Sequence, residues 1–277
     1  MSRRMAHLIN GMINTMVLPL SKRQKMKTKA RVAQELNNSG ITTLQTSRGP
    51  LTLYGARGSG TASSVERYGL DEPETLEWID NWIKPGETLW DIGAHIGCYS
   101  LYAGLRKDIK VFAFEPSALN FALLVEHIAA NHQDEHVKPF CIALSDKTKI
   151  EDLHMSVFET GQACNAIGKS ENQFRSFKPA FSQGIPAFTA EDFCTVFHLP
   201  PPDHIKLDVD GIEEAILNGA KNILPSAKTL MIEVEGRNAE NASRIEKIIA
   251  DAGLEEDVSI RDRGHCRNRL YINRKKT

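Results

Sequence analysis

From Tyr68 to near the C-terminus, short apolar runs alternate with stretches in which hydrophobic residues recur at helical spacing. That alternation predicts βαβ units around a parallel sheet, an α/β domain. A helix over 74–83 stops at Pro85-Gly86, and a first strand follows at 88–92. The pattern then gives a helix over 98–105, a strand at 110–114, a helix over 119–130 and a third strand at 137–144. The span 146–199 is less regular, with weak strand patterns at 153–158 and 185–188 and a capping-box-like Thr189-Ala-Glu-Asp192 that opens a short helix. Strands at 204–209 and 229–234 flank a helix that ends at Asn218 before Gly219. A helix over 242–252 stops at Gly253, and residues 258–260 with 269–272 form a C-terminal antiparallel hairpin.

Ahead of this domain the pattern changes. Leu8, Ile9, Met12, Ile13, Met16, Val17 and Leu20 recur at helical spacing, with Asn10 and Asn14 between them, so the segment 1–40 opens with an amphipathic helix. Residues 41–67 read as a small β-hairpin extension around Gly49-Pro50, and 68–277 as the main domain.

The formal net charge is −1, yet eight of the 34 Lys and Arg precede the first acidic residue, Glu35. Such a segment either touches an anionic membrane peripherally or packs on its own domain or on a partner subunit of a homo-oligomer. The five cysteines, Cys98, Cys141, Cys164, Cys194 and Cys266, show no metal-ligand spacing and no disulfide framework, which fits a reducing, cytoplasmic compartment. No run approaches the roughly 20 apolar residues of a membrane span. The main domain lacks a basic patch interleaved with aromatics, which argues against nucleic acid as a partner.

The stretch from Leu89 to Gly97 (LWDIGAHIG) runs a hydrophobic strand into a glycine turn and then a helix, so a nucleotide-type ligand is its natural occupant. Gly93 and Gly97 are separated by three residues, unlike the dinucleotide fingerprint GxGxxG, and Asp91 would repel a pyrophosphate. A cofactor bearing an ammonium and a sulfonium, S-adenosylmethionine, fits better. The second strand ends in Phe114-Glu115-Pro116, which places Glu115 where ribose-binding carboxylates fall, about 20 residues beyond the glycines. Ser145 and Asp146, after the third strand, either meet an adenine edge or form a simple turn. Lys206, Asp208 and Asp210 lie on a strand expected to be buried, where charges persist only if paired or used.

Together with Glu72-Pro-Glu-Thr-Leu-Glu-Trp-Ile79, Ala143-Leu-Ser-Asp146 and Ile205-Lys-Leu-Asp-Val-Asp-Gly211, these motifs resemble the FkbM family of methyltransferases over residues 41–236. The resemblance implies a class I Rossmann-like fold that uses S-adenosylmethionine and acts on hydroxyls of sugars, polyketides or other small metabolites. By matching position it places cofactor residues at Asp91, Gly93, Gly97, Glu115, Ser145, Asp146 and Asp208. Two departures touch the site: the family commonly has Asn where His95 stands and Glu where Asp210 stands. Asp210 is the first choice of general base for a small-molecule hydroxyl acceptor and His95 the second; Lys206 either orients them or pairs structurally with Asp208 or Glu233. Asp208, Asp210, Glu233 and Glu235 around a divalent cation is an alternative ranked below a metal-free site. The rival readings are a nicotinamide-dependent oxidoreductase and a non-catalytic module that keeps the fold; calorimetry with each cofactor separates them.

Overall fold

The computed structural model of the chain describes residues 2–163, 165–170, 176–234, 239–261 and 268–277. Glu235, Cys164 and Cys266 lie outside these. Helices α1 (Ser2–Met16) and α2 (Lys22–Ser39) come first. A hairpin of β1 (Ile41–Thr46) and β2 (Gly49–Tyr54), then α3 (Ser59–Glu66) and α4 (Pro73–Trp82), lead to β3 (Thr88–Ile92). There follow α5 (Cys98–Gly104), β4 (Lys110–Phe114), α6 (Ala118–Ala130), β5 (Val137–Phe140) and β6 (Ala143–Leu144). An inserted stretch carries β7 (Lys149–Met155), β8 (Ala166–Ile167) and β9 (Phe181–Phe188). The chain continues as α7 (Ala190–Phe197), β10 (His204–Leu207), α8 (Glu213–Asn218), β11 (Thr229–Glu233) and α9 (Ala239–Asp251). It closes with β12 (Glu255–Asp257), α10 (Val258–Arg261) and β13 (Asn268–Ile272).

The expected α/β architecture is present. Seven strands pair in the order β12-β13-β11-β10-β3-β4-β5, with all neighbours from β11 to β5 parallel and β13 antiparallel to both β11 and β12. The chain enters at β3, steps outward to β4 and β5, and then crosses over to β10 and β11. The order therefore reverses between β3 and β10, and in such sheets the crevice at the carboxyl ends of those two strands is where ligands bind.

Strand parity sorts the core. Trp90, Phe112, Phe114, Ile205, Leu207, Leu230 and Ile232 face α7, α8 and α9. Leu89, Val111, Ala113 and Met231 face the other way, where they pack with Trp78, Ile79, Leu101, Leu124 and the hairpin residues Leu51 and Leu53. Both hairpin leucines are fully buried in that shared cluster, so the 41–67 extension has no core of its own. Because alternate residues change face, Asp91 and Lys206 both point to the side of Leu89, and the parallel register sets them directly opposite one another.

Several expectations need correction. The single strand read at 137–144 is two: β5 ends at Phe140, and β6 joins a separate sheet of order β6-β9-β7-β8. The last bond along β5 is donated by Glu115 N to Phe140 O at 3.1 Å; the next residue, Pro116, has no N–H with which to continue the ladder. The C-terminal hairpin exists, but its first strand is β12, while residues 258–261 turn into α10 because Asp257 Oδ1 accepts from both Ser259 N (3.1 Å) and Ser259 Oγ (2.7 Å). The N-terminal helix ends at Met16 rather than at Leu20, ahead of Pro19. Helix α2 went unread since it buries no residue and so shows no apolar stripe; Ser21 and Gln24 start it by reciprocal capping bonds.

Candidate functional site

A cavity of about 370 Å³ opens at the carboxyl ends of β3, β4 and β10, where the strand order reverses. It falls in the size range of small-molecule sites, roughly 300–1,000 Å³. Of the residues singled out from sequence, Gly93, His95, Glu115, Lys206, Asp208 and Asp210 line it. Asp91, Gly97, Ser145 and Asp146 are not among its lining residues.

The turn after β3 sets the geometry. Gly93 has φ +86°, and a Cβ there would lie 1.8 Å from the carbonyl oxygen of Asp208. Gly93 is thus required by the approach of β3 to the end of β10, not only by a ligand. Gly97, at φ +92°, precedes α5, and a Cβ on it would meet Leu124 Cδ1 at 2.4 Å. Between them His95 has φ +53°, a left-handed conformation costly for a non-glycine residue.

Glu115 is nearly fully buried, and its carboxylate accepts from the backbone N–H of His95 (2.8 Å) and of Ser117 (2.9 Å). Burial nonetheless dominates and pushes its pKa up to about 8, against the pull of those hydrogen bonds. His95 is driven the other way: burial lowers its pKa, so the imidazole is neutral at neutral pH.

At the cavity floor lies a buried charge cluster. Lys206 Nζ donates to Asp208 Oδ2 at 2.9 Å and sits 5.0 Å from the Tyr99 ring centroid. Burial alone would lower the Lys206 pKa, but Asp208, Glu72 and Asp91 together raise it. Asp208 is opposed by burial too, yet Lys206 and a hydrogen bond with Glu233 hold its pKa below the ordinary value. Asp91 Oδ2 accepts from Ser100 Oγ at 2.5 Å, and burial raises its pKa. Of the pairings considered for Lys206, the one with Asp208 is present.

Asp210 has φ +61° and is followed by Gly211 at φ +125°, a turn that carries it off the strand end to the cavity. Ser145 and Asp146 follow β6: Ser145 N donates to Phe188 O (2.8 Å), and Ser145 Oγ to Asp146 Oδ1 (3.3 Å). The wall at that point is Ile142, Ala143 and Leu144.

Sequence reasoning missed the contributions of α3, α4 and the insertion. Arg67, Tyr68, Glu72, Tyr99, Asn120 and Asn165 also line the cavity. Glu72, just before α4, accepts from Thr75 Oγ1 (3.1 Å) and Asn268 Nδ2 (3.0 Å), and burial raises its pKa. Its place ahead of Pro73 was a readable helix-start signal. Asn120 clamps the loop above the cavity, donating to Gln162 O (3.1 Å) and accepting from Gly161 N (2.8 Å). Tyr68 Oη, His95 Nε2 and Asn165 Oδ1 are buried without a hydrogen-bond partner in this lining. Buried polar atoms are rarely left so, and three in one cavity wall mark where a polar ligand would be held. Among the described residues, no group of three or more His, Cys, Asp or Glu converges on a metal position.

A parallel sheet with a cavity at its switch point, a glycine turn and an acid ending the next strand define a Rossmann-like domain with a nucleotide-type ligand site. The chain belongs to the FkbM methyltransferase domain family, which matches residues 91–256. It is similar to the hexuronic acid methyltransferase AglP of Haloferax volcanii, at 24% identity over 188 residues that cover 68% of this chain and 72% of that one. Among solved structures it is similar to a putative caffeoyl-CoA O-methyltransferase from Staphylococcus aureus, with a TM-score of 0.45 and 13% identity over 76% of this chain and 88% of that one. It is also similar to a precorrin-6y C5,15-methyltransferase from Geobacter metallireducens, with a TM-score of 0.42 and 13% identity over 67% of this chain and 72% of that one.

Proposed function

We propose that this methyltransferase uses S-adenosylmethionine to methylate a hydroxyl oxygen on a small metabolite, a sugar before a polyketide. The observation that carries the reading is the convergence of the Gly93 turn, Glu115 and the Asp208–Asp210 strand end on one cavity. Its charge supports a cationic cofactor over a dinucleotide: among the described residues Asp71, Glu72, Asp208 and Asp210 line it against Arg67 and Lys206, before Glu115 ionises. The sugar preference rests on the likeness to a hexuronic acid methyltransferase. When bound, the cofactor supplies an electrophilic methyl on a sulfonium. Glu115 would accept from ribose hydroxyls, and Gly93 would let the backbone come close. Asp91 and Gly97 shape the turn from behind. Asp210 would take the proton from the acceptor hydroxyl, with neutral His95 as the second candidate.

Titration calorimetry tests the cofactor. S-adenosylhomocysteine should bind and NAD should not; the reverse result would return the oxidoreductase reading. Replacing Glu115 with Ala should weaken binding by about 1.5–3 kcal/mol, the usual worth of hydrogen bonds to a charged group. The pH dependence has a definite sign. Ribose donors need the ionised carboxylate, and burial keeps Glu115 protonated up to about 8. Affinity should therefore rise as pH climbs through that value, and Glu115→Gln should flatten the rise. The same raised pKa means that the stability contributed by protonated Glu115 is lost as pH rises through about 8.

For catalysis, Asp210→Asn keeps shape and tolerates the left-handed backbone, since Asn is among the residues that adopt it readily. The protein should still bind the cofactor, while the single-turnover rate at saturating cofactor falls roughly 10²–10⁴-fold, the range of general-base assistance. An unchanged rate would remove Asp210 and promote His95.

A further inference from the structure

The N-terminal pair of helices carries surface that the proposed reaction does not use. On α1, Met5, Leu8, Ile9, Met12 and Met16 form one continuous face at helical spacing, and it is open to solvent: Leu8 is 64% exposed, Met12 60% and Met16 72%. In the sheet and its flanking helices most residues of that kind are buried, with scattered exceptions such as Val125, Val196 and Phe197. Leu18 and Met26 extend the exposed apolar surface past the bend into α2. A shallow groove on α1 is bounded by Arg4, His7, Leu8, Met12, Thr15 and Met16.

Charge decides what covers this face. Arg3, Arg4, Lys22, Arg23, Lys25, Lys27, Lys29 and Arg31 precede the first acid, Glu35. Beyond residue 34 the balance reverses, with all 35 acidic residues against the remaining 26 basic ones. A second copy laid helix on helix would bring like charges together. A nucleic acid would satisfy the cations and leave the apolar stripe in water. Only an anionic lipid surface takes both, with apolar side chains in the acyl boundary and cations at the headgroup phosphates.

We propose that α1 and α2 dock the protein on an anionic membrane surface. The acid-rich remainder is repelled by the same surface, so contact is confined to the N-terminal helices and the catalytic cavity stays in water. No helix among the described residues is long and apolar enough to cross a membrane, so the contact is peripheral.

The test is sedimentation of the full chain with phosphatidylcholine vesicles, with and without phosphatidylglycerol, at low and high salt. Binding is expected with the anionic vesicles and should weaken as salt screens it. The paired changes Leu8→Glu/Met12→Glu and Arg23→Glu/Lys27→Glu should each weaken it at least about tenfold, from the worth of basic residues near a surface and of apolar burial. All four side chains are exposed, so the thermal midpoint of each variant should match the parent. A parent that stays in the supernatant with anionic vesicles overturns the proposal, as does equal binding to neutral ones. It is overturned equally if the chain ignores vesicles but binds single-stranded RNA, or forms a dimer that Leu8→Glu/Met12→Glu dissociates in light scattering.

Discussion

Replacing Lys206 with Met is expected to destabilise the fold by about 3–5 kcal/mol, the typical cost of removing one partner from a buried charge pair. The ammonium is 3% exposed as a residue and serves three carboxyl groups at once. Asp208 bonds it directly at 2.9 Å, Asp91 faces it across the β3–β10 register, and Glu72 reaches it from the start of α4. Methionine fills the same space but leaves these acids to repel one another in a poorly solvated floor. Their remaining escape is protonation, and that gives the prediction its pH signature. In the parent, Asp208 is held below its ordinary pKa, so its contribution is present at neutral pH and is lost only as pH falls through that lowered value. The raised pKa of Lys206 means its own contribution persists up to alkaline pH. In the variant the acids lose their counter-ion and titrate higher. The gap between parent and variant in urea unfolding should then be largest near neutrality and should narrow toward acid. A gap under about 1 kcal/mol at neutral pH, the worth of an exposed pair, would show that Lys206 does not hold the cluster together.

This cluster also shows how far the sequence could be read. Ile205-Lys-Leu-Asp advertises charges alternating with apolar residues on a buried strand, and period-two geometry alone puts Lys206 and Asp208 on one face. The central sheet was legible for the same reason: its strands are bounded by glycine, proline and strand-end acids, and local pattern carries those signals. Glu115 and the Gly93 turn were legible because consecutive strands in register bring them together. The rest depends on contacts between residues far apart in the chain. Tyr68 and Glu72 reach the cavity only because α3 and α4 pack across the sheet ends, and Asn120 clamps Gly161 from 41 residues away. The second sheet was blurred because β6 has two residues and β8 two, too few to show a period. Residues 258–260 misled through the β propensity of Val258 and Ile260, which Asp257 overrides by capping α10. Ser145 and Asp146 follow β6 and fall outside the cavity lining, although their sequence neighbours Ala143 and Leu144 belong to it.

Gly93→Ala should be nearly as disruptive as the loss of Lys206, and for a reason that the motif alone does not reveal. A glycine ahead of a helix is ordinarily explained by the ligand whose approach it permits. Here the added methyl would first meet the protein: it would stand 1.8 Å from Asp208 O and 2.9 Å from Asp208 C, both backbone atoms that cannot rotate away. The left-handed backbone at φ +86° adds its own penalty for any side chain. Together these predict a loss of roughly 2–5 kcal/mol from strain and overpacking. Since Asp208 N is bonded to Ile92 O at 3.0 Å, the displaced strand would carry Asp208 and Asp210 with it, so cofactor affinity should fall along with stability. Gly86→Ala is the control that separates the two contributions. Gly86 has nearly the same φ, +84°, but nothing within 4 Å of its added Cβ. It should lose only the conformational part, about 1–2 kcal/mol. Urea unfolding of the two variants side by side decides the matter: if Gly93→Ala costs no more than Gly86→Ala, the close approach of β3 to the end of β10 is not what requires glycine there.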